Sequence, residues 1–382
     1  MVASVARPTA ASRVDLRGYL AECQALTIQE IERIVRTGDA SARSFYDLML
    51  DYPMRAAKGL RPALCMATCR ALGGGLEACL PSAAVLELYH NAFLIHDDVE
   101  DGSEQRRDRD TLHRTHGSPI AINVGDGMLA LAFTPLLDNT RVIGLGKALR
   151  IVQLVAKMAR ETAEGQAMEL DWISRSTWSP TDDDYREMVV KKTGWYSFIT
   201  PMQVGAIIAG ATPEQMDALG EAARELSIAF QIRDDVLNLR SRGAYGKEAY
   251  GDLWEGKRTL ILLHALRDMN AGERAAAEEI LARPRTSRCA ALLAELELAG
   301  ELTRAGRAKL EAELGGARGK TAADVAQLLR WIERSGSLDY ATAIGREHAR
   351  SARLALVRAG LPHSIHRDVI ESLIDFTVDR EH

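Results

Sequence analysis

Residues 92–101 read Ala-Phe-Leu-Ile-His-Asp-Asp-Val-Glu-Asp, and residues 229–238 read Ala-Phe-Gln-Ile-Arg-Asp-Asp-Val-Leu-Asn. Each stretch ends an apolar helical run in two adjacent aspartates and places another oxygen-bearing side chain four positions after the first. On a helix Asp97 and Asp101 project from one face about 6 Å apart along the axis, and like charges at that spacing destabilise a helix. A divalent cation compensates them, and hard carboxylate ligands point to Mg²⁺ with phosphate oxygens completing its shell. Asp97, Asp98, Asp101, Asp234 and Asp235 are therefore the candidate metal residues, expected on opposed walls around one diphosphate.

The rest of the chain has the same helical character. Strand-like alternation is nearly absent, and Ala, Leu, Glu and Arg dominate. Apolar residues recur at three- and four-residue spacings over roughly 15–37, 61–72, 80–101, 119–137, 145–170, 183–210, 213–240, 257–268, 286–298, 321–334, 337–358 and 363–378. Gly73-Gly74-Gly75, Ser179-Pro180-Thr181, Ala211-Thr212-Pro213 and Arg283-Pro284-Arg285 interrupt them, with Thr181 or Asp182 and Thr212 as expected helix caps. No linker, repeat or low-complexity block divides the sequence. The expectation is an all-α chain: an unstructured N-terminus over 1–14, then one helical domain over 15–382. The Ala/Glu/Arg-rich stretch from about 270 to 320 reads as a surface excursion away from the chemistry.

Composition narrows the function. The 382 residues carry a net charge of -5, which argues against nucleic acid as a partner. Five cysteines without a CxxC pair suit reduced thiols in the cytoplasm. The Ala/Ser-rich start with Arg7 and Arg13 has a superficial transit-peptide composition, but no apolar stretch reaches the roughly 18 residues that would span a bilayer, and no transmembrane segment is expected.

Basic residues are scattered where diphosphates would need counter-charges: Lys58 and Arg61, His90, Arg106 and Arg107, Lys192, Lys247 and Lys257. Singly, each reads as a solvated cation. Together with the acidic clusters, the chain resembles the trans-isoprenyl diphosphate synthases, the family of farnesyl and geranylgeranyl diphosphate synthases. The resemblance spans roughly residues 50–270 and rests on seven ordered motifs: AAKGLRP, LIHDDVED, RRDRDTLH, GDGMLALAF, GQAMEL, KTGWY and FQIRDDVLN.

That resemblance implies a helical bundle around a central catalytic cavity, the type I isoprenoid synthase fold, usually as a homodimer. It implies three Mg²⁺ ions on Asp97, Asp101 and Asp234, assisted by Asp98 and Asp235. Lys58, Arg61, His90 and Arg107 would seat isopentenyl diphosphate, and Arg106, Lys192, Gln231, Lys247 and Lys257 the allylic diphosphate. Gln166 and Thr193 would flank the reacting carbon, and Lys192, Thr193, Gln231 and Lys257 would act in catalysis. Five positions depart from the family pattern: Gly59 for a basic residue, Asp108 and Asp110 for a glycine and a proline, Glu169 for an aspartate, and Asn238 for the last aspartate of the second cluster, which keeps an oxygen but loses a charge.

Tyr89, Ala92 and Phe93 are the expected chain-length residues. Phe93 lies about 6 Å and Tyr89 about 12 Å below Asp97 on one helix face. Small Ala92 is expected to leave space beside Phe93, favouring geranylgeranyl diphosphate over farnesyl diphosphate. A class I terpene cyclase and a non-catalytic partner subunit are the competing readings. The first needs no Lys58, Arg61 and His90 pocket, and the second would lack the acidic clusters.

Overall fold

The computed structural model describes residues 14–240, 250–283, 288–313 and 319–379. The expected unstructured N-terminus, except for Val14, and Lys247 lie outside the described residues.

The expected helices form where the sequence caps them. Asp15 accepts the Gly18 N–H to open helix Leu16–Val35. Thr181 and Asp184 make a capping box before Asp182–Val189, and Thr321 and Asp324 do the same before Ala322–Arg334. At Gly73 and Gly74 the helix Leu60–Ala71 ends in a Schellman turn: Gly74 donates to the Cys69 carbonyl and Gly73 to that of Arg70, with Gly73 at φ +84°.

Among the described residues the only strands are Gln105–Arg106 and Arg109–Asp110, an antiparallel pair that helical periodicity did not foretell. Arg107 and Asp108 form its turn at φ +53° and +59°. Two consecutive left-handed residues match the twist of a two-residue hairpin, so Asp108 occupies a conformation in which the family's glycine carries no Cβ penalty.

The helix Leu76–Glu100 runs through the protein with most of its residues buried and delivers the first acidic cluster at its C-terminal end. The helix Pro213–Arg240 packs along Ser337–Arg358 and delivers the second. Between these two acid-bearing helices, residues 182–209 form a continuous helical run whose middle, Val190–Ile199, widens into a π-helix. Such widening is uncommon and often marks a functional site. It contacts Leu145–Ser174 closely: a Cβ on Gly165 would lie 2.2 Å from the Lys192 backbone nitrogen. The glycine of the GQAMEL motif is thus the space in which the Lys192 backbone sits.

One sequence expectation is corrected. Two segments, Leu76–Glu100 and Ser118–Ile143, are long and apolar enough to cross a membrane. The first is a core helix, buried over 72% of its most apolar window, and the second is buried over only 39%. Isolated charges interrupt the apolar residues without removing their overall hydropathy.

The Gly165 contact gives a direct test. Gly165→Ala should destabilise the protein by about 1–3 kcal/mol through overpacking against backbone, whereas Gly146→Ala, whose added Cβ meets nothing within 4 Å, should leave the urea midpoint unchanged or raised.

Candidate active site

Acidic side chains at a helix C-terminus sit in the unfavourable field of the helix dipole. At the end of Leu76–Glu100 that cost is offset by three cations from three other segments. Asp97 meets Arg106 and Lys192, each at 3.3 Å, and Asp101 accepts from Lys257 at 3.0 Å. Burial pushes the Asp101 carboxyl up to about 6 despite Lys257, and the Asp97 charge adds to the rise. Burial alone would lower the Lys192 and Lys257 pKa values, but Glu169 and Asp97 raise the first, and Glu255 and Asp101 the second, above lysine's ordinary value. Glu169, the departure in the GQAMEL motif, is the buried ion-pair partner of Lys192.

Asp98 occupies a different layer. It is fully buried and takes 2.6 Å and 2.9 Å hydrogen bonds from the Tyr52 hydroxyl and the Arg106 Nε. Asp235 repeats the arrangement in the second cluster: it is 5% exposed and accepts from the Tyr185 hydroxyl at 2.7 Å and Gln231 Nε2 at 2.8 Å. Burial raises the Asp235 pKa well above the carboxylate range, with nearby Asp252 adding to the effect. In each motif the first aspartate faces the site cations or cavity, while the second is fixed from behind by a buried tyrosine. Sequence reading missed both tyrosines because each is remote from its aspartate and carries no motif. It also missed Asp252, whose only sequence sign was its place in the GDLWEGK segment.

The π-helix joins the two clusters. Lys192 reaches Asp97, while adjacent Thr193 donates to Gln231 Oε1 at 3.1 Å, and Gln231 donates on to Asp235. Gln166 donates to Glu100 at 2.6 Å. Asn238 Oδ1 accepts the Asp252 N–H at 3.3 Å, so the oxygen expected to assist a metal bonds to backbone.

Lys58, Arg61, Glu87, His90, Arg107 and Asp234 line one cavity, with Phe230, Leu373 and Phe376 among its apolar residues. Arg61 donates to Ser197 Oγ at 2.7 Å and lies over the Tyr196 ring, and the Lys58 ammonium lies 5.6 Å from the Phe376 ring centroid. His90 stacks on Tyr196 and is neutral, its pKa driven well down by burial and by Arg61 and Arg107. Among the described residues, Arg61 Nε, His90 Nδ1 and Glu87 Oε2 are buried without a hydrogen-bond partner. Gly59 leads into this wall at φ +60°, where a Cβ would lie 2.8 Å from that of Gln24, so a basic side chain is excluded there.

Tyr89, Phe93 and Tyr196 form an aromatic cluster, with ring centroids 5.8 and 5.5 Å apart along the series. Ala92 does not sit beside open space. It is fully buried in the smaller core with Leu88, Val124 and Met128, which corrects the expected room for a growing tail. The 100° step between neighbouring helix residues carries position 92 off the Tyr89–Phe93 face.

A family model described as polyprenyl synthetase matches residues 43–296. The chain is 33% identical over 255 residues to a short chain isoprenyl diphosphate synthase of Methanocaldococcus jannaschii, covering 66% of this chain and 76% of that one. It is 33% identical over 329 residues to a geranylfarnesyl diphosphate synthase of Aeropyrum pernix (85% and 90% covered), and 30% identical over 326 residues to an octaprenyl diphosphate synthase of Haemophilus influenzae (85% of each). Among solved structures it superimposes on a geranylgeranyl pyrophosphate synthetase from Pyrococcus horikoshii with a TM-score of 0.79 at 28% identity, covering 96% and 99% of the two chains. A Caulobacter crescentus polyprenyl synthase complexed with calcium and isoprenyl diphosphate gives 0.74 at 26%, covering 98% and 100%. The fold is the all-α isoprenoid synthase fold, and the chain belongs to the polyprenyl synthetase family. It is an enzyme of that family, a prenyl diphosphate synthase.

The paired tyrosines yield a prediction. Tyr52→Phe and Tyr185→Phe each remove one hydrogen bond to a buried carboxyl, a loss of about 1–3 kcal/mol for a buried acceptor left without its partner. Each should lower kcat at least tenfold in steady-state assays. Wild-type kcat in both variants would show that the two aspartates need no such support.

Proposed function

We propose that this enzyme condenses an allylic diphosphate head-to-tail with isopentenyl diphosphate, in a Mg²⁺-dependent reaction, and that residues 15–382 act as one catalytic domain in the cytoplasm. The observation that carries the reading is the presence of two differently built anion seats. One combines Asp97 and Asp101 with Arg106, Lys192 and Lys257; the other is the cavity lined by the cations Lys58, Arg61 and Arg107 and by neutral His90. Two diphosphates with different fates need two such seats. A terpene cyclase ionises one diphosphate and has no use for the second, and a non-catalytic subunit has no need of either acidic motif.

The donor set suits the metal. Among the described residues, no three His, Cys, Asp or Glu side chains converge closely enough to cage an ion. Mg²⁺ is commonly held by one or two carboxylates, waters and substrate phosphates instead. On this reading Asp97, Asp101 and Asp234 would hold three ions, with Asp98 and Asp235 bracing them. When bound, the metal neutralises diphosphate charge and eases departure of pyrophosphate.

The chain's own residues do the rest. Arg106, Lys192, Lys257 and, on this assignment, Lys247 stabilise the charge gathering on the leaving group. Gln231, Thr193 and Gln166 orient it. Lys58, Arg61, His90 and Arg107 hold isopentenyl diphosphate so that its double bond attacks the allylic carbon, and the departing pyrophosphate accepts the proton then lost. The Tyr89–Phe93–Tyr196 cluster excludes water from the cation and presents ring faces to it.

We propose geranylgeranyl diphosphate as the product, with farnesyl diphosphate as the alternative. The names of the relatives span several chain lengths and do not select one, whereas the bulk of Tyr89 and Phe93 limits depth. Incubation with Mg²⁺, labelled isopentenyl diphosphate and C5, C10 or C15 allylic diphosphates should give a discrete C20 prenyl alcohol after dephosphorylation. Phe93→Ala should shift it to longer products. Asp97→Ala and Asp234→Ala should each lose about three orders of magnitude in kcat, as expected when several kcal/mol of transition-state charge stabilisation disappear. Hydrocarbon release from a long allylic diphosphate alone would replace the synthase with a cyclase.

We further propose a homodimer through the outer face of Ser118–Ile143 and the start of Leu145–Ser174. Phe133, Leu137, Val142, Leu145 and Leu149 are exposed there, Val142 at 63% and Leu145 at 64%. Such a contiguous apolar face marks an interaction surface. In sedimentation the wild type should run as a dimer and a Leu137→Asp, Leu145→Asp double variant as a monomer.

A further inference from the structure

Lys257 is presented by a tight turn between the short helix Gly251–Glu255 and the helix Leu260–Asp268. Its ammonium meets Asp101 at 3.0 Å and Glu255 at 2.7 Å, and its N–H donates to the Asp252 carbonyl. The carbonyls on the other side of this turn are held by two further cations. Lys320 Nζ donates to the Trp254 carbonyl at 2.7 Å, and Arg258 Nη1 to the Gly256 carbonyl at 2.5 Å. Both side chains are buried, each at 2% exposure.

Burying two cations near one another is costly, and Arg258 contributes to lowering the Lys320 pKa to about 8, after burial itself. Each is held by an acceptor. Arg258 Nε donates to the Thr177 carbonyl at 3.0 Å, and its guanidinium lies 3.7 Å from the Trp178 ring centroid. Lys320 precedes Thr321, whose capping box with Asp324 fixes the local chain, and Asp324 also pairs with Arg283 at 3.1 Å. Gly256 completes the fit at φ +72°, with a Cβ position only 3.3 Å from Lys320 Nζ.

We propose that Lys320 and Arg258 are positioning residues, a buried two-cation clamp that locks the Trp254–Arg258 turn so that Lys257 meets the allylic diphosphate. Lys320 lies beyond the segment matched by the family model, which ends at residue 296. It also lies in the stretch expected to be remote from the chemistry. The clamp makes the C-terminal part of the chain a support for the active site. This inference rests on the proposed role of Lys257.

The test compares Lys320→Met, Arg258→Lys, Lys257→Ala and the Lys320→Met, Lys257→Ala double variant in the full-length enzyme, with kinetics for each substrate and thermal unfolding. Lys320→Met should raise the allylic diphosphate KM about tenfold and leave the isopentenyl diphosphate KM within twofold. Arg258→Lys, which keeps the charge but gives up the fork to Thr177 and Gly256, should shift KM in the same direction and serves if Lys320→Met does not fold. The double variant should be no worse than Lys257→Ala alone, because both changes remove the same contact. Wild-type constants in both clamp variants would overturn the clamp. So would parallel loss for both substrates with a lowered melting temperature, which marks a purely structural role, or full additivity in the double variant. A wild-type allylic KM in Lys257→Ala would overturn the assignment of Lys257 itself and the clamp with it.

Discussion

The helix Leu76–Glu100 brings carboxylates to the end of a helix where the backbone dipole already disfavours negative charge, and the site is built around offsetting that. Arg106 comes from the hairpin after the helix, Lys192 from the π-helix and Lys257 from the turn before Leu260–Asp268. Each cation requires its own local geometry. The hairpin uses two left-handed residues, the Lys192 backbone uses the missing side chain of Gly165, and the Lys257 turn uses Gly256. Several features that look local in the sequence are thus parts of one electrostatic balance.

That balance explains why the two aspartates of each pair are not equivalent. A carboxylate can face ligands only if something else fixes the backbone behind it. Asp98 and Asp235, each buried against a tyrosine hydroxyl, provide that fixed point, while Asp97 and Asp234 reach the cations and the cavity. Buried polar groups of this kind are stabilising only when fully satisfied. Tyr52 meets the condition on several sides: its hydroxyl also accepts the Leu112 N–H, its carbonyl accepts from Arg107, and Arg55 lies over its ring.

The helical architecture was legible because amphipathic periodicity and capping residues are local signals, and most element ends fell within a few residues of expectation. The acidic and basic motifs were legible because their spacing states their chemistry. What escaped was long-range or conformational. Tyr52 and Asp98 are 46 positions apart and Tyr185 and Asp235 are 50 apart, and neither tyrosine has a signature. The π-helix depends on how its neighbours pack. Ala92 misled because small size was taken as open space, whereas tertiary packing against Met128 and Leu88 fills it. Lys320 escaped because a single lysine in a polar stretch reads as solvated.

The departures from the family pattern become intelligible in the same physical terms. Glu169, itself buried, supplies the longer reach that meets half-buried Lys192. Gly59 adopts a left-handed conformation against Gln24 that a basic residue could not share. Asn238 has lost a charge, but Asp252, whose backbone N–H it receives, lies close enough for its own charge to act on Asp235. An acid brought in by the next turn thus stands near the second cluster where the motif lacks one, so the negative potential there depends on the Gly251–Glu255 helix keeping its place. The carbonyl end of that helix is where Lys320 and Arg258 act, which ties the electrostatics of the second cluster to the same turn that presents Lys257 to the first.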